Sequence, residues 1–310
     1  MKQFKKMKKL VFLGIFALLS WTEASAQQDP HYTQYMYNLS VINPAYAGSK
    51  ENLSAGLLYR KQWVQIEGAP TTATFFAHTP VGKNLGAGIS LLNDKIGPVE
   101  ETNAFADLSY TIRLNESSQL AFGIKAGGTF HKIDFNQINP TLPTLDPIFA
   151  VSPSSAKLNL GSGLFYFTDK YYISLSVPNL LKSRYLDFDG RSYGSEIPHY
   201  FLTGGYVFDI NPDLKFKPFA MVKSSFNGPT SFDISTNFLY LEKFEAGLTY
   251  RREDSFGAMI NIKVTPSIRI GYAYDQIVSD LKIATRSSHE FLILFDVNFP
   301  RKVSQSPRYF

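Results

Sequence analysis

The chain of 310 residues has no cysteine. That absence removes disulfide scaffolds, thiolate zinc sites, iron–sulfur clusters and cysteine nucleophiles together, and with them a lipid-anchored lipoprotein, whose acyl chains need a cysteine. Long apolar runs are also lacking. Beyond the first 26 residues no stretch reaches the 18 or so apolar positions that a membrane-crossing helix needs. Helical spacing of apolar residues is nearly absent as well. An excess of one charge sign is present only on paper. Lys2, Lys5, Lys6, Lys8 and Lys9 form a basic start, Leu10–Leu19 an apolar run too short to span a bilayer, and Ala24-Ser25-Ala26 a small-residue cleavage site. Residues 1–26 therefore read as a secretory signal peptide, cut between Ala26 and Gln27. Without them the 31 Lys+Arg and 26 Asp+Glu become nearly balanced. The basic character belongs to the leader, and a nucleic-acid partner loses its support. What the chain does have is 26 Phe and 18 Tyr, far more apolar surface than a disordered chain carries.

The apolar residues alternate with period two, as side chains do on the two faces of a strand. Phe232, Ile234, Phe238 and Tyr240 oppose Asp233, Ser235 and Asn237. Phe256, Ala258, Ile260, Ile262 and Val264 oppose Gly257, Asn261 and Lys263. Ile268, Ile270, Tyr272 and Tyr274 oppose Arg269, Gly271 and Ala273. The same pattern runs through 53–61 and 119–131. It predicts strands at 53–61, 71–79, 85–93, 102–113, 119–131, 157–167, 171–178, 200–208, 214–223, 230–240, 243–251, 255–264, 267–275 and 289–297. Most match the roughly 9–11 residues of a tilted transmembrane strand and exceed the 5–6 typical of soluble sheets.

The connections sort by parity. Those of even rank are short turns. Those of odd rank include the long 132–156 and 179–199. Short turns at one end and long loops at the other mark an outer-membrane barrel. Tyrosines at strand ends, among them Tyr59, Tyr171, Tyr200, Tyr240 and Tyr250, suit interfacial girdles. The expected fold is all-β: an antiparallel transmembrane outer-membrane β-barrel of about fourteen strands over 53–297. Residues 27–52 form an N-terminal plug or periplasmic segment, and 298–310 a tail. A barrel this size encloses space that something must fill or wet. The aromatic 27–52, with Tyr32, Tyr35, Tyr37, Pro44 and Tyr46, is the candidate. On this scheme Ile260 faces lipid and refuses charge, while Asn261 faces the lumen and accepts arginine.

Several motifs then point to a family. Asp29-Pro30-His31-Tyr32-Thr33-Gln34-Tyr35-Met36, followed by Asn43-Pro44-Ala45-Tyr46-Ala47-Gly48-Ser49, resembles the opening of mature PorP/SprF proteins of the Bacteroidetes, with Asn38-Leu39-Ser40-Val41 departing from the usual local pattern. The likeness runs on through Tyr59-Arg60-Lys61-Gln62-Trp63, Gly68-Ala69-Pro70, His78-Thr79-Pro80, Asn93-Asp94-Lys95-Ile96-Gly97-Pro98, Thr168-Asp169-Lys170, Ser176-Val177-Pro178-Asn179-Leu180 and Ser288-His289-Glu290, to Ser306-Pro307-Arg308-Tyr309-Phe310. The resemblance implies an outer-membrane barrel of the type IX secretion system, working with periplasmic type IX secretion and gliding machinery. It implies export and surface attachment of a large gliding-type adhesin with a type B C-terminal sorting domain. It implies no catalytic residues.

Enzymatic and ligand motifs are rejected on their own terms. The five histidines show no helical metal spacing. No nucleophile elbow, phosphate loop or cofactor motif is present. Gly123-x-x-x-Gly127-Gly128 lies in a strand, where glycine eases curvature. A rim hydrolase would need His131 with Asp134 and Ser152, Ser154 or Ser155. The residues singled out are structural or partner-facing. Tyr59, Arg60 and Trp63 form an aromatic and cationic cluster at the first outward strand end. Asn93, Asp94, Gly97 and Pro98 shape the second outward loop. Asn43, Pro44, Ala45, Tyr46 and Gly48 position the N-terminal segment. Arg184 and Tyr185 give the long 179–199 loop an interface chemistry. Tyr309 and Phe310 serve assembly. The partners expected are outer-membrane lipid, a secreted cell-surface adhesin and the periplasmic machinery. The competing expectation is a passive channel or transporter for small solutes.

Overall fold

A computed structural model describes residues 31–50, 52–134, 154–181, 184–188, 191–195, 197–225 and 230–297. The strands are β1 Leu53–Lys61, β2 Thr71–Pro80, β3 Leu85–Ile96, β4 Val99–Arg113, β5 Ser118–Ile133, β6 Ser154–Thr168, β7 Tyr171–Val177, β8 Arg184–Phe188, β9 Arg191–Ser195, β10 Tyr200–Tyr206, β11 Phe208–Asn211, β12 Leu214–Ser224, β13 Ser231–Tyr240, β14 Phe244–Arg251, β15 Ser255–Thr265, β16 Ile268–Ile277 and β17 Ser287–Val297. Each barrel strand pairs antiparallel with its chain neighbours. The ring closes where β1 meets β17, from Leu53 opposite Val297 to Lys61 opposite His289. The far side continues from β7 to β10 to β12. β8 and β9 pair with each other outside this ring, and β11 prolongs the hairpin with β12. The result is a closed antiparallel barrel of fourteen strands. Among the described residues no helix is long and apolar enough to cross a membrane; the strands do the crossing.

Strand ends differ from expectation where pairing outlasts apolar alternation. β3 and β4 continue through polar residues until Ile96 pairs with Val99. Asn93 and Asp94 are therefore ladder residues and not loop residues. Asn93 Nδ2 donates across the hairpin to Glu100 Oε1 at 2.8 Å and Thr102 Oγ1 at 2.9 Å, and Thr72 Oγ1 donates to Asp94 Oδ1 at 2.6 Å. The second outward loop shrinks to Gly97-Pro98, with Gly97 at φ +54°, a conformation open to glycine. The predicted strand 200–208 breaks at Val207, which is buried and donates its N–H to Lys170 O at 2.8 Å.

The two faces separate as alternation requires. Phe232, Ile234, Phe238, Phe256, Ile260 and Ile262 are exposed around the outside, whereas Asp233, Asn237 and Asn261 are buried within. Phe and Tyr rings meet, stacked or tilted, at the inner ends of β6 to β13. Tyr171 stacks on Tyr206 at 5.9 Å, Tyr206 lies 4.2 Å from Phe208, and Phe216 lies 5.1 Å from Phe238. This belt sits where an interfacial girdle is needed.

The expected tolerance of charge at Asn261 is overturned. Asn261 is 1% exposed, and its side chain presses against Gly271 and beside Gln34 of the N-terminal segment. The lumen is packed there, so arginine has no water to reach. Ile260→Arg is expected to cost about 2–4 kcal/mol by placing charge in mid-bilayer. Asn261→Arg is expected to shift the heat-modifiable gel migration too, because it expels the segment. Normal migration of Asn261→Arg would contradict the packed lumen.

Candidate functional site

The interior of the barrel is occupied by the chain's own residues 31–50. This stretch makes a 3₁₀ turn over Tyr35–Tyr37, one α-helical turn over Leu39–Ile42 and a second 3₁₀ turn over Pro44–Tyr46. The last turn has a local cause. Asn43 Oδ1 accepts from Ala45 N at 2.8 Å, and Pro44 supplies a fixed φ and needs no hydrogen-bond acceptor. The same Asn43 reaches the wall with Nδ2, donating to Leu164 O at 2.9 Å and Ser174 Oγ at 2.7 Å. Ala47 O accepts from Ser109 Oγ at 2.6 Å, and Gly48, at φ +73°, donates to His78 Nδ1 at 3.3 Å. Tyr46 packs edge-on against His78 and Phe165, each at 5.2 Å. Wall contacts on β2, β4, β6 and β7 surround this short run, which places it inside the barrel.

Two wall glycines make that approach possible. A side chain at Gly123 would meet the backbone of Pro44-Ala45, and one at Gly86 the backbone of Ala47. The expectation that Gly123 merely eases curvature is thus corrected: it clears space for the luminal backbone.

Charges on the luminal faces clamp the other end of the segment. Arg60 of β1 lies 2.7 Å from Asp275 of β16 and 3.1 Å from Glu290 of β17. Glu290 also accepts from the backbone N–H groups of Thr33 and Gln34, both at 2.9 Å. Thr33 Oγ1 donates to Asp275 at 2.6 Å while accepting from Arg60 at 2.8 Å. Nearby, Arg251 grips Asp233 through Nε at 3.0 and 3.1 Å and donates to Tyr32 O at 3.1 Å. Toward the inner end Glu245 is held by Lys217 at 3.0 Å and Arg269 at 3.4 Å. Both cations stand 5.8 Å from the centre of the Tyr37 ring. Lys50 lies 3.6 Å from Asp296. The segment therefore runs from the outward ends of β1, β14 and β17 at Tyr32–Gln34 down to the inner ends of β2 and β17 at Gly48–Lys50.

His31 opens the described segment. Its Nε2 is 3.0 Å from Lys223 Nζ. Burial, then the charges of Lys223, Arg251 and Arg60, hold its pKa well below the usual histidine value.

The structure separates several residues that the sequence groups. Tyr59 points to the lipid side, 46% exposed, while Arg60 points into the lumen and is 2% exposed. Trp63, at φ +46°, sits in the outward turn and donates its N–H to Ser288 Oγ at 3.2 Å. The expected cluster of these three does not form, because neighbours on a strand face opposite ways. Asn43, Pro44, Ala45, Tyr46 and Gly48 do come together, on the wall. Arg184 and Tyr185 open β8, paired with β9. His131 Nδ1 lies 3.5 Å from Glu101 on the neighbouring strand. Asp134, its expected partner, donates its N–H to Pro98 O. Ala24, Ala26, Gln27, Ser152, Tyr309 and Phe310 lie outside the described residues. The sequence reading missed Asp233, Glu245, Arg251, Asp275 and Glu290 as a set. Their one signal is a charge at the inward-facing phase of a strand.

Among solved structures the chain is similar to the CymD monoaromatic hydrocarbon channel, with a TM-score of 0.56 at 12% identity over 85% of this chain and 93% of that one. It also resembles the Acinetobacter baumannii outer membrane protein Omp33 (TM-score 0.48, 8% identity, 80% and 100% covered) and a Pseudomonas aeruginosa FadL homologue (0.46, 12%, 89% and 96%). At such identities the likeness concerns the fold alone. No curated protein matches the sequence. Residues 24–295 match the family described as type IX secretion system membrane protein PorP/SprF.

Arg60→Ala is expected to destabilise the barrel by about 3–5 kcal/mol, since it leaves Asp275 and Glu290 buried without their shared cation; urea unfolding in detergent measures this. The docked segment holds His31 neutral. Its docking is therefore full above the ordinary histidine pKa of about 6.5 and weakens as pH falls below it. Protease cleavage within 31–50 is expected to speed up from pH 7 to pH 5, and His31→Gln to flatten that dependence.

Proposed function

The chain belongs to the PorP/SprF family of type IX secretion system membrane proteins, and from that premise we propose that it is a non-enzymatic outer-membrane component supporting export and surface attachment of a large gliding-type adhesin with a type B C-terminal sorting domain. The barrel sits in the outer membrane. Its leader, residues 1–26, is removed on export. Its outward loops meet the adhesin, and its short inner turns meet the periplasmic secretion and gliding machinery.

The observation that carries this reading over a passive channel is the filled lumen. Residues 31–50 bridge the walls through hydrogen bonds: the Thr33 and Gln34 N–H groups to the buried Glu290 carboxylate, Asn43 Nδ2 to Ser174, and Ala47 O from Ser109. A cavity of about 70 Å³ beside the segment, lined by Tyr32, Tyr35, Leu92, Phe105, Phe201 and Met221, holds no more than a few waters. A wall that carries a partner needs no bore. A channel does.

Two measurements test the proposal. A strain lacking the protein is expected to lose or degrade its surface adhesin while general solute uptake is unchanged. In planar bilayers the intact protein is expected to conduct little, and a variant lacking 27–50 to conduct strongly. Wide conductance of the intact protein together with normal adhesin display in the deletion strain would establish the channel instead.

A further inference from the structure

The wall is not laddered to the same height all the way round. β6 pairs with β5 along its whole length, from Thr168 to Ser154. Its other edge pairs with β7 only up to Ser162 opposite Val177. Above that point β7 has ended. Val177 turns inward and is buried, and Pro178 and Asn179 line the luminal cavity. The carbonyl of Leu160 accepts from Leu180 N at 2.7 Å, and the Asn159 side chain accepts from Leu160 N at 2.8 Å and Leu181 N at 3.1 Å. In an antiparallel strand the N–H and C=O of one residue point the same way, and the direction alternates along the chain. Since the Leu160 carbonyl points away from β5, so do the backbone groups of Leu158 and Ala156. Among the described residues no strand receives them, and the β8–β9 hairpin pairs only with itself.

The depth of this edge decides what can cover it. Tyr166, at the inner aromatic belt, lies 5.9 Å from Tyr171. Eight residues up the tilted strand, Leu158 stands roughly 20 Å higher, inside the apolar band of about 25 Å. Leu158 is 82% exposed and Leu160 50%. Both point outward, while Asn159 and Gly161 point in and are buried. An acyl chain suits the leucines and leaves the backbone groups without partners, which hydrocarbon does not tolerate. Only an extended polypeptide satisfies both, by adding a strand to the edge. The strand ends at Ser154 on the outward rim, so the added segment arrives from the outer side.

We propose that the outward half of β6, residues 154–160, is the docking edge for an extended segment of the exported protein, which adds a strand beside β6 above the end of β7. The strand-accepting edge stands on the pairing register alone; the identity of its occupant rests on the proposed function.

A photo-crosslinking side chain placed at Leu158 in intact cells tests this, with the same probe at Ile260, on a fully laddered stretch of wall, as the control. An adduct with the exported protein is expected from 158 and none from 260. Leu158→Pro removes the N–H that points away from β5 and leaves the ladder with β5 intact. With the probe moved to Ala156, this substitution is expected to cut the adduct by roughly tenfold, about the worth of one backbone hydrogen bond. Unchanged crosslinking in Leu158→Pro, an adduct only with lipid or within the barrel itself, or an adduct only with a different envelope protein would each overturn the proposal. The crosslink at 158 uses the unaltered backbone, so it stands even where the proline variant fails to fold. Normal adhesin display in a strain lacking the protein would instead sink the functional reading and leave the edge itself to be judged by its crosslinks.

Discussion

In hydrocarbon a backbone amide has no water to fall back on, and every feature of this molecule follows from that constraint. It forces the chain into strands whose amides are satisfied by neighbours, and it forces the strands into a ring with no first or last edge. It sets one phase of each strand to apolar residues and leaves the other phase free. With fourteen strands the ring encloses a space too wide for inward side chains to fill alone. The chain fills it with its own N-terminal segment, whose backbone then needs partners in turn. Glu290, Ser109, His78 and the Arg251 guanidinium supply them from the wall.

The luminal charges hold position more than they add stability. A buried ion pair roughly breaks even against an apolar replacement, and it becomes costly only when one member is lost. What Arg60, Asp275 and Glu290 provide is a place with a fixed set of hydrogen-bond directions, into which Thr33 and Gln34 fit in one register. An apolar lumen would hold a greasy segment at many registers. The small wall residues act in the same sense. At Gly86 and Gly123 the segment's backbone lies against the strand itself, which no other residue allows.

The wall was legible in the sequence because lipid imposes period two on it without exception. Phe256, Ala258, Ile260 and Ile262 face one solvent, and that solvent rejects polar groups. Even strand ends came out close wherever apolar alternation and pairing stop together, as at Leu53–Lys61. They failed at Asn93–Ile96, where cross-strand hydrogen bonds among polar side chains keep the ladder going after the apolar signal has ended. The interior was far less legible. An inward polar residue reads the same whether it meets water or a packed segment, so Asn261 looked wet and Gly123 looked like a bend. The clamp at Arg60 joins it to Asp275 and Glu290, each more than two hundred positions away, and nothing local in the chain announces it. Tyr59-Arg60 shows the converse error: adjacency in sequence suggested a cluster, and the pleat put the two on opposite sides of the wall.

The clamp at Thr33 and Gln34 also sets a condition on how the molecule is completed. These residues precede every described strand, and the carboxylate that receives both of their N–H groups belongs to the last described one. A chain cut short anywhere before β17 has no acceptor for them, whatever the state of its other hairpins. The molecule thus joins its luminal segment to β17 at a single carboxylate, and only a chain that includes β17 can make that joint.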